Sequence, residues 1–209
     1  MKKYEAILYD IDGTLLNTLN MNMIPLIRII KEELNEDWSY EEVLRFVPYP
    51  GMKVMEELKV KDKEKVYSRW VKYVNEYEEG ASIYENIDYV LEEFYGKVKQ
   101  AVVSAKTKKQ YEIDFVSKGL DKYMEAKVLA DDTERHKPDP QPINKCLEIL
   151  GVDKENAIFI GDSLSDYKAA INAGVDFGYA TWGSVSSEGI ENPTLVFDSP
   201  MDIVRLIES

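Results

Sequence analysis

Cysteine and histidine are nearly absent from this sequence, with 1 residue of each among 209. The lone cysteine, Cys146, excludes an internal disulfide, and no cluster of His and Cys offers the ligands that suit zinc. Long apolar runs are missing as well. The run that follows Lys2 and Lys3 ends at Asp10, too early for a signal peptide, and no stretch has the length of a membrane span. We therefore expect a cytoplasmic protein that makes no contact with a membrane.

Basic residues are also in short supply, since 26 Lys and Arg face 39 Asp and Glu for a formal net charge of -13. Such a field repels polyanions, which argues against DNA or RNA as a partner. A small phosphorylated metabolite remains a suitable partner, because a bound cation reverses the field locally. The hydrophobic fraction of 44% is ordinary for a globular protein. The length suits one α/β domain or a core with a smaller insert.

Six short apolar runs bounded by polar residues or glycine predict buried strands. They cover 4–9, 101–103, 127–130, 157–160, 177–180 and 194–197. Segments with helical spacing lie at 108–118, 140–150, 165–173 and 201–207, and Asp139-Pro140 is typical of an N-cap followed by a first-turn proline. Strands that alternate with helices predict an α/β fold, a three-layer Rossmann-like parallel sheet.

The stretch from 16 to 81 differs, because no segment in it has a convincing strand pattern. Its periodicity predicts helices over 21–34, 40–46, 53–58 and 63–77. The simplest organisation is an α/β core formed by 1–15 and 82–209. A small helical domain at 16–81 then interrupts this core after its first strand.

Acidic residues follow two of the predicted strands. Asp10 and Asp12 lie in DIDGT after the first strand, and Asp162 and Asp166 lie in GDSLSD after a later one. Ligands of open α/β sheets bind beyond the carboxyl ends of the strands, and carboxylates gathered there need a cation, a shared proton or separate roles. Each motif also has a plain structural interpretation, an Asp-Gly turn in the first and an N-cap by Ser163 in the second. The cap is compatible with a metal-ligand role for Asp162.

Two further polar residues stand at informative places. Ser104 follows an apolar run, where a hydroxyl and nearby backbone N–H groups can hold a phosphoryl oxygen. Lys137 precedes a proline, and a cluster of four carboxylates needs a positive charge nearby. Taken alone, Ser104 is typical of a simple helix cap and Lys137 of a surface residue.

In this order the four patterns resemble the signature motifs of the haloacid dehalogenase-like phosphatases. They are DxDGT after the first strand, an apolar run that ends in Ser, a Lys before Pro, and GDSxxD after a later strand. The resemblance covers the whole chain. The helical segment at 16–81 is similar to the small cap of the phosphoglycolate phosphatase-like and β-phosphoglucomutase-like branch, which implies that substrate specificity lies there.

The resemblance implies a Mg²⁺-dependent phosphatase that acts on a small phosphorylated metabolite. Asp10 would be the nucleophile that forms an aspartyl-phosphate, and Asp12 would protonate the leaving alcohol and then deprotonate water. Lys137 would pair with Asp10 and with phosphoryl oxygens. The resemblance implies that the substrate is bound by Thr14, Ser104 and the amide of Ala105. It implies that the metal is bound by Asp10, Asp162, Asp166 and the backbone carbonyl of Asp12. A hard dication with oxygen ligands fits an all-carboxylate site.

Three other functions were weighed against this one. A β-phosphoglucomutase-type phosphomutase would carry Arg three residues after a cap glycine, and counted from Gly51 that position is Val54, although the neighbouring Lys53 could substitute. A serine esterase is suggested by GDSL at 161–164, but it needs a later His, and His136 precedes the block. A non-catalytic binding protein would lack the nucleophile or the general acid. The sequence specifies neither the phosphate ester nor the oligomeric state.

Overall fold

The short apolar runs form one parallel sheet in the computed structural model, which describes residues 2–47, 49 and 51–207. The strands are β1 (Ala6–Tyr9), β2 (Leu16–Asn17), β3 (Ser82–Ile83), β4 (Lys99–Val103), β5 (Ala126–Val128), β6 (Ala157–Gly161), β7 (Asp176–Ala180) and β8 (Leu195–Phe197). Six of them pair in the order β5-β4-β1-β6-β7-β8, and all of these pairs are parallel. The α/β fold and the six predicted strands are confirmed.

The strand order reverses beside β1. The chain runs from β1 outward through β4 to β5, then returns to the other side of β1 and continues outward through β6, β7 and β8. A reversal of this kind leaves a crevice beyond the carboxyl ends of the strands, where ligands bind in open α/β sheets. We therefore expect ligand-binding residues directly after β1 and β6.

Helices cover both faces of the sheet. They are α5 (Ile87–Phe94), α6 (Lys108–Asp114), α7 (Gln141–Leu150) and α8 (Leu164–Ala173), and the four helices that precede them in the chain belong to the inserted segment. One face of the sheet packs its buried apolar side chains against α7 and α8 in a single cluster. On the other, α5 packs against β4 and against a 3₁₀ helix at Pro200–Leu206. The inner strands β1 and β6 are buried on both faces, which explains why their runs are apolar throughout rather than alternating.

The chain divides into two compact units, one made of Met1–Asn17 with Ile83–Ser209 and the other of Thr18–Ser82. The second unit contains α1 (Leu19–Leu34), α2 (Tyr40–Val43), a 3₁₀ turn at Leu44–Phe46, α3 (Gly51–Glu57) and α4 (Lys63–Asn75). The expectation of no strand between 16 and 82 is wrong in a minor way, because β2 and β3 form a separate two-stranded sheet. Strands of two residues are too short to show an alternating pattern.

Two helical predictions need correction, and one helix was not predicted. Helix α7 begins at Gln141 with Pro140 at the N-cap position, so Asp139 is not the cap, although its Oδ1 accepts a hydrogen bond from the Gln141 amide at 2.9 Å. Helix α5 was not predicted, because it starts from Asn86 at a positive φ of 67° without a side-chain cap to signal it. The segment predicted as a helix at 201–207 is a 3₁₀ helix at Pro200–Leu206.

Among the described residues, no helix is long and apolar enough to cross a membrane.

Candidate active site

Three candidate residues follow three neighbouring strands. Asp10 comes directly after β1, Ser104 after β4 and Asp162 after β6. Tyr9 at the end of β1 lies opposite Val102 of β4 and Ile160 of β6 in the parallel register. The strand ends are therefore level, and the polar residues that follow them are carried to one edge of the sheet.

The segment 10–14, which we call the first acidic loop, folds back on itself immediately after β1. The amide of Leu15 donates to the carbonyl of Ile11 at 2.9 Å, and the amide of Gly13 donates to that of Leu16 at 2.9 Å. Gly13 has φ +81°, and a Cβ on it would lie 2.3 Å from a carboxylate oxygen of Asp162. The Asp-Gly turn is therefore present, and its glycine is what allows Asp162 to approach the backbone.

Contacts from two directions hold this loop in place. Thr14 is fully buried, and its hydroxyl donates to Asp162 Oδ1 at 3.0 Å. The indole N–H of Trp182 donates to the carbonyl of Thr14 at 3.0 Å. Beside it, Gly183 packs so closely that a Cβ there would lie 1.7 Å from the carbonyl oxygen of Gly13. The location of Thr14 favours a role in orienting Asp162 over direct contact with substrate.

Three carboxylates meet at the strand ends. Asp10, Asp162 and Asp166, which we call the acidic cluster, each offer an oxygen, and these oxygens lie within 4.8 Å of one another. Burial, opposed by Lys137 and reinforced by Asp166 and Asp12, raises the pKa of Asp10 to about 7. Burial, together with the charges of Asp166 and Asp10, raises the pKa of Asp162 well above its usual range. Such crowding is unfavourable in the absence of a cation, so these three residues suit a hard dication.

Lys137 supplies positive charge inside this cluster. Its Nζ lies 2.8 Å from Asp10 Oδ1 and 2.7 Å from Asp166 Oδ1, and its side chain is only 7% exposed. The ammonium also donates to the carbonyl of Val103, the last residue of β4, at 3.2 Å. Burial by itself lowers the pKa of Lys137, but the two carboxylates more than reverse this and raise it. The surface-residue interpretation of Lys137 is wrong.

Asp166 has two functions in the structure. Its Oδ2 accepts from the amide of Ser163 at 3.1 Å and from the Ser163 hydroxyl at 2.6 Å, while Ser163 Oγ accepts from the Asp166 amide. This reciprocal capping box begins α8. The other oxygen, Oδ1, faces Lys137. The cap at Ser163 and the acidic cluster therefore coexist, because the two oxygens of one carboxylate serve different partners.

The end of β4 carries the remaining predicted substrate contacts. Ser104 is buried, and its amide donates to the carbonyl of Val128 at 3.0 Å. The Ser104 hydroxyl accepts a hydrogen bond from the amide of Lys106 at 3.3 Å. Ala105 is exposed between them. The interpretation of Ser104 as a helix cap is wrong, because Thr107 is the N-cap of α6. Ser104 instead forms a local turn at the edge where Asp10 and Asp162 lie.

Asp12 points to a lysine that the sequence analysis did not identify. Its carboxylate is not part of the three-residue acidic group, and Oδ1 lies 2.9 Å from Lys106 Nζ. Lys106 also pairs with Asp114 at 2.5 Å, and its side chain is 7% exposed. Burial alone lowers the pKa of Lys106, and the charges of Asp12 and Asp114 raise it overall. The imbalance between four carboxylates and one lysine indicates that a further cation is needed, but it does not indicate which residue supplies it.

Tyr84 is a second residue that sequence reasoning missed. Burial, with smaller contributions from the charges of Asp162 and Asp12, raises the pKa of its phenol to about 12. The amide of Tyr84 donates to the carbonyl of Leu15 at 3.2 Å, which ties it to the residue after the first acidic loop. A single tyrosine after a short strand has no sequence signal that separates it from a packing residue.

Comparison with known proteins gives a consistent family. The model for the haloacid dehalogenase-like hydrolases matches residues 7–180. The pyrophosphatase PpaX of Bacillus cereus strain AH820 is 26% identical over 98% of this chain and 97% of its own length. The solved structure of a "putative phosphoglycolate phosphatase" from Lactobacillus plantarum is 27% identical, with a TM-score of 0.89 over 98% of this chain and 99% of that one.

Proposed function

The chain belongs to the haloacid dehalogenase-like hydrolase family and is an enzyme of its phosphatase group, and we propose that it hydrolyses a small phosphorylated metabolite through an aspartyl-phosphate on Asp10. One observation carries the proposal. Asp10, Asp162 and Asp166 meet at the carboxyl edge of the sheet, with the ammonium of Lys137 between Asp10 and Asp166. This arrangement supports the proposal, because the carboxylate of Asp10 lies beside a positive charge of the kind that an incoming phosphoryl group requires.

We assign the acidic cluster to Mg²⁺. Asp10, Asp162 and Asp166, with the backbone carbonyl of Asp12, would hold the ion, and hard oxygen ligands of this kind suit it. When bound, the ion supplies charge that lets an anionic nucleophile and an anionic substrate approach each other. Thr14 keeps Asp162 in place through its 3.0 Å hydrogen bond.

Asp10 attacks phosphorus in this proposal. A bond forms between a carboxylate oxygen of Asp10 and the phosphorus atom, while the bond from phosphorus to the leaving oxygen breaks. Lys137 is held 2.8 Å from Asp10 Oδ1 and anchored by Asp166, so it fixes the carboxylate and balances the charge that gathers on the phosphoryl oxygens. The Ser104 hydroxyl and the amide of Ala105 bind that group from the end of β4.

Asp12 moves the protons. It gives a proton to the leaving oxygen in the first step, then takes one from the water that attacks the aspartyl-phosphate and releases phosphate. With its side chain 37% exposed, Asp12 is the more accessible of the two aspartates of the first acidic loop, while Asp10 is 11% exposed. A solvent-accessible acid next to a buried nucleophile suits this division of roles.

The names of the relatives suggest where a substrate search begins. Inorganic pyrophosphate and 2-phosphoglycolate are the substrates that their names indicate, and both are small anions. We propose these two as the first compounds to test. With either compound, the proposed roles of the acidic cluster, of Lys137 and of the end of β4 stay the same, since only the leaving group differs.

A phosphomutase is the second candidate, and the second unit argues against it. Val54, the position at which a mutase-type Arg is expected, is fully buried. Lys53, the possible substitute, is engaged with Glu57 at 3.0 Å and with Glu56 at 3.7 Å. A binding protein without catalysis is disfavoured by the presence of both Asp10 and Asp12.

Phosphate release from a panel of small phosphate esters and pyrophosphate tests the proposal. Wild type is compared with Asp10→Asn, with and without Mg²⁺ after treatment with a chelator. Asp176→Asn is the matched control, because Asp176 is the first residue of β7 and so lies at the amino ends of the strands, opposite to the acidic cluster at their carboxyl ends. We expect release that requires both Mg²⁺ and Asp10 and that Asp176→Asn preserves. Full activity in Asp10→Asn, or hydrolysis that resists chelation, would refute the mechanism.

A further inference from the structure

The ion pair between Lys106 and Asp12 is the feature of the site that no role above uses. Lys106 Nζ lies 2.9 Å from Asp12 Oδ1 and 2.5 Å from Asp114 Oδ2. The side chains of Lys106 and Asp114 are 7% and 5% exposed, so this pair is almost wholly removed from water. Among the residues that the structure describes, Lys106 is the one cation within ion-pair distance of Asp12.

The backbone around Lys106 is fixed at two strand ends. Its amide donates to the Ser104 hydroxyl at 3.3 Å, beyond the end of β4. Its carbonyl accepts from the amide of Ala130 at 2.9 Å, beyond the end of β5. Asp114 at the end of α6 then holds the ammonium from the far side. The lysine therefore reaches Asp12 from a rigid base rather than from a mobile loop.

Burying an ammonium costs several kcal/mol, and Asp114 and Asp12 both contribute to offsetting that cost. The second partner is the proposed proton donor, and its contact is specific to one oxygen. Asp12 Oδ1 is buried, whereas the Asp12 side chain as a whole is 37% exposed. The accessible part of Asp12 therefore belongs to its other atoms.

From this geometry we propose that Lys106, braced by Asp114, is a positioning residue that fixes the rotamer of Asp12. Holding Oδ1 turns Oδ2 outward as the oxygen that exchanges protons with the leaving group and with water. The inference rests on the proposed role of Asp12 as the general acid and base. Lys106 itself touches neither substrate nor the transferred group.

A change in leaving-group dependence tests this role. Protonation by Asp12 matters for an alkyl phosphate, whose alkoxide is a poor leaving group, and matters little for 2,4-dinitrophenyl phosphate. The comparison uses kcat/KM, which reports the steps up to formation of the aspartyl-phosphate and not its later hydrolysis. The alkyl phosphate is the best one from the panel above.

We expect Lys106→Met to lower kcat/KM for the alkyl phosphate by about 100-fold and for the dinitrophenyl ester by less than about fivefold, since a misplaced acid affects only the first. Lys106→Arg should restore much of the loss. Lys108→Met is the matched control, because the side chain of Lys108 is 67% exposed. If Lys106→Met does not fold, the double variant Lys106→Met with Asp114→Leu removes both buried charges and allows the same comparison.

Equal losses on the two esters would overturn the inference and make Lys106 a structural residue only. Unchanged kinetics on both would overturn it as well. These outcomes leave the proposed function intact as long as the wild type shows turnover that depends on Asp10. Absence of such turnover in the wild type would instead refute the proposed function, and the inference with it.

Discussion

Replacing Lys137 with Met should strongly destabilise the protein, because the change leaves two buried carboxylates without their cation. Lys137 lies 2.8 Å from Asp10 and 2.7 Å from Asp166, whose side chains are 11% and 0% exposed. Removing one partner of a buried ion pair costs about 3–5 kcal/mol. Protonation of one carboxylate limits the loss, so we expect about 3 kcal/mol at pH 8 without divalent cations, at the lower end of that range.

The loss in the free energy of unfolding of Lys137→Met, relative to wild type, should become smaller as the pH falls. Burial already raises the pKa of Asp10 to about 7 in the wild type, and loss of the ammonium, whose charge lowers that pKa, raises it further. A raised folded pKa makes stability greatest at low pH and removes it as pH rises through that pKa. The deficit should therefore shrink on acidification, by up to about 1.4 kcal/mol per pH unit wherever the variant holds one proton more than the wild type.

Urea unfolding in the presence of a chelator measures both effects. Lys108→Met is the control, since its exposed pair with Asp132 at 3.3 Å should be worth less than about 1 kcal/mol. Adding Asp166→Asn to Lys137→Met should recover part of the loss, because it removes one of the uncompensated charges. The double-mutant cycle should then show a coupling of about 0.5–3 kcal/mol. Stability of Lys137→Met within about 0.5 kcal/mol of wild type, at every pH, would refute the reasoning.

Three further predictions concern other parts of the core unit. In Gly183→Ala, the added methyl group would clash with the backbone of the first acidic loop. The variant should therefore have a lower free energy of unfolding and a lower rate of phosphate release. A fully active, equally stable variant would contradict the close packing. Burial raises the pKa of Asp176, but hydrogen bonds from Lys2 and Tyr4 lower it overall, so Asp176→Asn should cost roughly 1 kcal/mol at pH 7. That cost should begin to decline as the pH falls below about 4, the unfolded pKa of Asp, and should be lost as the pH falls through the lower folded pKa. A cost independent of pH would argue against the pairing. Burial raises the pKa of the Cys146 thiol to about 12, so iodoacetamide at pH 8 should label it only after unfolding.

Much of the architecture is predictable from local patterns. The six apolar runs predict the six strands of the sheet. The signal is clearest for β1 and β6, because strands buried on both faces are apolar at every position. The residues after three of those runs, Asp10, Ser104 and Asp162, could be placed at a common edge from the parallel arrangement alone. Elements with weak local signals were missed or displaced. Helix α5 lacks a side-chain cap, and β2 and β3 have two residues each.

The same limit applies to the candidate site. The acidic residues were identified because they stand next to predicted strands in recognisable order. Lys106 was not, because its significance comes from Asp114 and from Asp12, which lies 94 positions earlier in the chain. Its burial turns what is usually a surface lysine into the partner of two carboxylates.

The sequence by itself therefore determined the fold class, the family and the set of strand-end residues, because these depend on patterns read along the chain. The resemblance implied the pair between Lys137 and Asp10, and only the tertiary structure decided the other contacts. It added Asp166 as a second partner of Lys137, paired Asp12 with Lys106, and packed Trp182 and Gly183 against the first acidic loop. Ion pairs and backbone contacts between distant segments depend on distances of a few ångströms and on exclusion of water. Neither quantity is encoded in the spacing of residues along a strand or a helix.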